Sequence, residues 1–256
     1  MKSQKQINRV IDFHVHIDSR EHLDEVRQIE DEMNVTKAIL VSGNMIAPGK
    51  LGDFLRGQEP LVSSDPNNEF LAEIIKSDDR FGAFFTIDPE YHMEEDIEDA
   101  IEAGFSGVKF NTIVHKIDFT SKDVESLVEI IDDAHLPVYT HITLNPKSNL
   151  EALLGLARKY RNANFIIGHM GFSTSDFAAI TAAETLENVY LESSIGSRLA
   201  FEEMRRRGLS KKLIFGSEFP THDPRIELSK LEYIFDEEEL ENIVYQNAMN
   251  LLNRKK

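Results

Sequence analysis

Eight short apolar runs recur along the chain with amphipathic stretches between them, and this alternation restricts the fold more than any other feature. The runs are RVIDFHVH (9–16), TKAILVSG (36–43), RFGAFFTI (80–87), FSGVKFN (105–111), LPVYTHI (136–142), NFIIGHM (164–170), NVYLESS (188–194) and KLIFGSE (212–218). Rich in Ile, Val and Phe, and apolar on both faces in places, they read as parallel strands covered on both sides. Helical patterns fill the gaps. Over 88–104, Asp88 suits a cap, Pro89 the first turn and Gly104 the C-terminal stop, with Met93, Ile97, Ala100 and Ile101 on one face. Over 120–134, Val124, Leu127, Val128 and Ile131 share a face, and 236–252 opens with an acidic turn that complements the helix dipole.

Eight such repeats in 256 residues predict an α/β protein of the (β/α)8 TIM-barrel class, one domain spanning 1–256. An open doubly wound sheet is the rival. It is weakened because no Gly-rich phosphate loop follows the first strand. The one long connection, 43–80, carries Pro48, Gly49, Gly52, Gly57 and Pro60; it is expected to cover the barrel mouth and shape substrate access.

Charge and composition exclude several roles. The formal net charge of −17 argues against an electrostatic nucleic-acid binder and gives no pull towards anionic membranes. With no cysteine, disulfides and thiolate metal sites are ruled out, so any metal must be held by His, Asp, Glu or a modified side chain. The start MKSQKQINRV lacks an apolar signal-peptide core, and no apolar stretch approaches membrane-spanning length, so the cytoplasm is expected. The expected partners are a small-molecule substrate and, as protein partner, a second copy of the chain in a homodimer.

Polar residues gather at the ends of the runs. His14 and His16 end the first, one residue apart; in a strand, i and i+2 project from one face, so the two imidazoles converge on one point. Lys109 lies near the end of the fourth run, His141 of the fifth, His169 of the sixth and Glu218 of the eighth. Singly, each reads as a core histidine, half an ion pair or a solvated acid. Jointly, in a (β/α)8 barrel, they meet at the C-terminal mouth where active sites lie. His115 and His222 fall in loops on that face, whereas His22, His92 and His135 read as structural.

The pieces DFHVH, GFSGVKF, LPVYTHI, FIIGHMG, NVYLESS, LIFGSEFP and IVYQNAMNLL, in this order across nearly the whole chain, resemble the amidohydrolase superfamily. Within it they are similar to the amidohydrolase-related branch that includes aminocarboxymuconate-semialdehyde decarboxylase and small metal-dependent hydrolases. The resemblance implies one divalent metal, usually zinc, on His14, His16, His141 and the acid ending the eighth strand, with His169 polarising substrate or water. Ligand chemistry agrees, since neutral imidazoles and a carboxylate suit zinc, although manganese and iron accept the same donors. An open coordination position would lower the pKa of bound water. The surroundings of Lys109 resemble the mononuclear branch, which implies an unmodified lysine and a single metal.

One departure stands out: the family pattern has Asp in GSD-aromatic-P, where this chain has Glu218 in GSEFP. Glu218 is expected to take over as ligand and base. A second departure is NTIVHK after GVKF, where many relatives carry a His-Pro turn. The leading expectation is a hydrolase of a C–N or C–O bond in an amide or lactone, with His169 and Glu218 catalytic. A non-oxidative decarboxylase of an aromatic or unsaturated acid is the alternative, and a barrel that has lost activity and serves as a binding protein is the third. Lys109 and Arg198 are the candidate substrate-binding cations.

Overall fold

The computed structural model describes residues 7, 9–17, 19–42 and 66–253. Strands β1 (Val10–Ile17), β2 (Val35–Ser42), β3 (Phe81–Ile87), β4 (Gly107–Phe110), β5 (Pro137–Thr140), β6 (Asn164–Ile167), β7 (Val189–Glu192) and β8 (Leu213–Ile214) follow the eight apolar runs. They pair in sequence order, all parallel, with helices between them. Closure comes just past β8. Phe13 N–H donates to Phe215 O (3.0 Å), Glu218 N–H to His14 O (2.9 Å) and His16 N–H to Phe219 O (2.8 Å). The result is the (β/α)8 barrel the alternation predicts.

The two faces of the strands fill two cores. Ile11, Phe13, Ile39, Val41, Phe84, Tyr139, Ile166 and Ile214 plug the barrel interior. Val10, Val15, Leu40, Val108 and Phe165 face outward and pack with helix residues such as Leu23, Val26, Ile97, Leu127 and Ile131.

β1 departs from strict alternation, and the departure matters for the site. Asp12 pairs with Ala38 and Val15 with Leu40, so three steps on β1 match two on β2. This is a β-bulge. Phe13 and His14 together stand opposite Ile39. Without the surplus residue, the phase that turns Ile11 and Phe13 inward would turn His14 and His16 out onto the helices.

One expectation needs adjustment. The helix of 88–104 begins later, at Glu94, and ends at Glu102. Asp88 is part of a preceding turn, where its carboxylate accepts from Glu90 N–H (3.1 Å) and its own N–H donates to His92 Nδ1 (2.9 Å). Met93 is consequently the residue before that helix and is 72% exposed rather than on its buried face. The 43–80 connection, expected to cover the mouth, falls largely on 43–65, outside the described residues; a helix, Asn68–Ser77, precedes β3.

Behind the bulge, the helix Arg20–Met33 buries an acid, Glu30. Glu30 and Asp12 line a small hollow with Val15, Val26, Ile29, Val35, Phe219 and Pro224, and neither Glu30 carboxylate oxygen has a hydrogen-bond partner. Burial, reinforced by the charge of Asp12, pushes the Glu30 carboxyl up to about 8. The native chain therefore keeps a proton that the unfolded chain releases between the ordinary glutamate pKa and pH 8, and stability falls as pH rises through that window. At roughly 1.4 kcal/mol per pKa unit, the loss over that window is on the order of 5 kcal/mol. Glu30→Gln removes the titration, so urea unfolding at pH 5 and pH 8 should show a smaller drop for the variant than for the wild type. Equal drops would show that Glu30 is not the group responsible.

Candidate active site

β1 delivers His14 and His16, both buried, to the mouth of the barrel. Their facing depends on the bulge, and Asp12 braces the bulge. Its Oδ1 accepts from His14 N–H (3.2 Å) and from Ser217 N–H beyond β8 (2.9 Å). One carboxylate thus ties the histidine strand to the segment carrying Glu218.

Glu218 itself has a left-handed backbone, φ 61°, as do His169 (58°), Met170 (61°) and Ile195 (52°). Non-glycine residues rarely adopt this conformation, and each instance costs about 1 kcal/mol or more unless the surroundings hold it. At Glu218 the result is a carboxylate turned onto the histidines. Its Oε2 lies 2.7 Å from His14 Nδ1 and 3.8 Å from His169 Nε2, and its Oε1 lies 3.5 Å from His16 Nε2. His141 stacks on His169 with ring centroids 4.8 Å apart and planes 5° from parallel. The described residues thus bring together His14, His16, His141, His169 and Glu218. Ligand atoms of His14, His169 and Glu218 lie within 4.8 Å of one another.

The electrostatics are those of a buried, crowded cluster. Burial lowers His16 to about 4, with Lys109 adding to the effect. Burial also takes His141 well below the ordinary range and lowers His169. Glu218 runs the other way: burial raises it, but the charges of His14 and His16 outweigh that and hold it well below the usual carboxylate range. Lys109 is buried at the end of β4. Its Nζ lies 3.0 Å from His14 Nε2 and 3.4 Å from His16 Nε2, and burial brings it down to about 8 against the pull of Glu218 and Glu192.

A metal fits this donor set. His141 leaves both ring nitrogens without a hydrogen-bond partner, and His16 Nδ1 is likewise unmatched. Buried imidazole nitrogens left unpaired are costly in a folded protein. Imidazoles around one carboxylate are donors that a divalent cation satisfies.

Arg198 is not brought to this cluster. It begins the outer helix Arg198–Arg206, exposed, with Nε 2.7 Å from Glu202 Oε1 and its guanidinium 5.5 Å from the Tyr233 ring. The one-turn spacing to Glu202 makes an exposed helical pair. Nor do the loop histidines join. His115 Nε2 lies 3.9 Å from Asp88 Oδ2, and His222 Nδ1 lies 3.9 Å from Glu227 Oε1.

Glu192, Tyr139 and Ser194, which sequence reasoning passes over, belong to the same buried cluster. Glu192, at the end of β7, is fully buried. It accepts from the Tyr139 hydroxyl (2.9 Å), the Ser194 hydroxyl (2.8 Å), Ser194 N–H and His169 N–H (3.3 Å). Burial pushes its carboxyl up, but the hydrogen bonds and the charge of His14 prevail and bring it down to about 2. Two glycines make room for it: a Cβ at Gly216 would land on the Glu192 carboxylate, and one at Gly168 on the Tyr139 hydroxyl. The signal available in sequence was parity alone, since Glu192 follows an apolar strand residue at a strand end as the histidines do.

A family model described as amidohydrolase matches residues 11–254. The chain belongs to the amidohydrolase family. It is an enzyme, and the solved structures similar to it include hydrolases and decarboxylases. No curated protein sequence matches it. Among solved structures, this amidohydrolase is similar to a probable 2-pyrone-4,6-dicarboxylic acid hydrolase from Acinetobacter baumannii, with TM-score 0.72 and 19% identity over 97% of this chain and 100% of that one. It is similar to 5-carboxyvanillate decarboxylase from Sphingomonas paucimobilis, with TM-score 0.71 and 13% identity over 97% and 100%. It is also similar to a dihydroxybenzoic acid decarboxylase from Polaromonas sp. JS666 with bound manganese, with TM-score 0.70 and 19% identity over 97% and 98%. At these identities the likeness shows the barrel. No helix among the described residues of this amidohydrolase is long and apolar enough to cross a membrane.

Proposed function

We propose that this amidohydrolase is a metal-dependent hydrolase of an amide or lactone, with the reaction at the pocket of His14, His16, His141, His169 and Glu218. The observation that carries the reading is the Glu218 carboxylate, held between His14 (2.7 Å) and His169 (3.8 Å). An ionised acid beside a neutral imidazole provides a proton acceptor and a hydrogen-bonding partner on one small volume. His14, His16, His141 and Glu218 would hold the ion, which supplies Lewis acidity towards a carbonyl and towards water. The remaining work falls to the chain. Glu218 accepts the proton released as water attacks the carbonyl carbon and returns it to the leaving nitrogen or oxygen. His169 orients the reacting groups from the facing side. Lys109, a buried cation, offsets negative charge on the substrate or at the developing oxyanion.

Lys109 also supports a second reading. A buried ammonium beside His14 and His16 is suited to hold a substrate carboxylate, as non-oxidative decarboxylation requires, and two of the similar structures are decarboxylases. A panel of amides, lactones and aromatic carboxylic acids, assayed for both hydrolysis and carbon dioxide release, separates the two. Hydrolysis without carbon dioxide supports the proposal, and carbon dioxide release overturns it in favour of the second reading. Metal content is the companion measurement: about one equivalent of zinc, manganese or iron per chain is expected. Protein that binds none after each ion is supplied would defeat both metal-dependent readings and leave a binding protein.

A further inference from the structure

We propose that Glu192 is a positioning residue that fixes the tautomer of His169, so that His169 presents a bare Nε2 to the reaction space. It acts through the Ser194 hydroxyl. The inference deepens the reading above and rests on it for the place of His169 in catalysis.

Hydrogen-bond directions carry the inference. Glu192 receives two backbone N–H groups, from Ser194 and from His169 (3.3 Å), and a backbone N–H can only donate. Its carboxylate is therefore an acceptor on both oxygens. The Ser194 hydroxyl, 2.8 Å from Glu192 Oε2, must then give its single hydrogen to Glu192. With that hydrogen committed, Ser194 Oγ can only accept from His169 Nδ1, 2.8 Å away. Nδ1 carries the proton, and in the neutral ring Nε2 keeps its lone pair. Nε2 is the nitrogen that faces Glu218.

The same carboxylate works on the other side of the pocket. The Tyr139 hydroxyl also gives its hydrogen to Glu192 (2.9 Å), so its oxygen accepts from His14 Nδ1, 2.7 Å away. His14 Nε2 is thereby turned towards Lys109. One buried acid thus sets two imidazoles through two hydroxyls, in a pocket kept clear by Gly216 and Gly168.

The consequence for chemistry is specific. A bare Nε2 cannot donate to a carbonyl oxygen; it accepts a hydrogen from water or from a substrate hydroxyl. His169 therefore orients the attacking group, and stabilisation of the oxyanion falls to other donors, Lys109 among them.

The test reads the tautomer directly and needs no substrate. Protein labelled with 15N-histidine, metal-free and then zinc-loaded, gives long-range proton–nitrogen spectra in which His169 is assigned from the His169→Gln variant. In the metal-free wild type, His169 should show a protonated, pyrrole-like Nδ1 and a bare, pyridine-like Nε2. Ser194→Ala should shift both nitrogens towards averaged positions, and Ser194→Thr, which restores the hydroxyl, should return them. A wild-type His169 protonated at Nε2 overturns the inference, and so does a Ser194→Ala spectrum unchanged at His169. If Ser194→Ala does not fold, the wild-type spectrum alone decides. Zinc uptake on the same sample keeps the two ideas apart: zinc bound with the wrong tautomer sinks only this one, and the right tautomer without zinc sinks only the metal-dependent reading.

Discussion

Glu218→Gln should lose nearly all turnover, on the order of 10²–10⁴-fold, the range for removal of a general acid–base group, while zinc binding weakens only partly. The amide keeps the length and shape of the side chain and removes its charge and its capacity to take a proton. Three imidazoles, from His14, His16 and His141, remain for the ion. The companion variant, Glu218→Asp, carries the acid usual in the family pattern, but it too should lose activity here, at least tenfold. The 2.7 Å approach of the carboxylate to His14 is made from a left-handed backbone at residue 218. Removing one methylene withdraws the acid by about 1.5 Å and breaks that approach. Turnover on the substrate found in the panel, with metal content measured in parallel, checks both variants. Full activity in Glu218→Gln would remove Glu218 from the chemistry, and a gain in Glu218→Asp would show a pocket still shaped for the shorter acid.

His141→Leu should separate stability from metal affinity. Both ring nitrogens of His141 are buried without a partner, and an unsatisfied buried polar group costs roughly 1–3 kcal/mol. Leucine fills a similar volume with no polar atom, so the metal-free variant should be more stable than the metal-free wild type, by about 2–4 °C in Tm for each kcal/mol at this chain length. Zinc should reverse the order. The wild type gains stability with zinc concentration as a ligand-bound native state must, whereas the variant, lacking a ligand, gains little. Thermal unfolding with and without zinc tests both halves. A variant that keeps the whole zinc-dependent rise would show that His141 does not hold the ion. One that melts lower without metal would show that the imidazole is satisfied after all.

The barrel was legible because its signal is repeated: eight apolar runs with helical spacing between them leave few other closures. His14, His16, His141, His169 and Glu218 were legible because each is a polar residue at the end of a run that is otherwise apolar. Tyr139 and Glu192 fulfil a similar condition without standing out in the sequence. A tyrosine inside VYTH reads as core, and a glutamate in LESS reads as a strand end exposed to solvent. What marks them is the hydrogen bonding to His14 and His169, which joins strands far apart in sequence. Arg198 follows the seventh run closely in sequence, but the helix beginning there carries it outward to Glu202. Asp88 and Pro89 suggest a helix start ahead of Glu94 because the same residues are equally good openings for a tight turn.

The surplus residue in β1 has a consequence for what a strand can offer a barrel. A regular strand gives each rung of the interior one side chain, so a chain must choose at every level between filling the plug and equipping the mouth. At the level of Ile39, β1 supplies two, Phe13 and His14. The aromatic ring packs downward with Phe84, at 5.3 Å, and the imidazole faces the chemistry from the same rung. A chain one residue shorter between Asp12 and Val15 could keep the ring in the plug or the imidazole at the mouth, but not both.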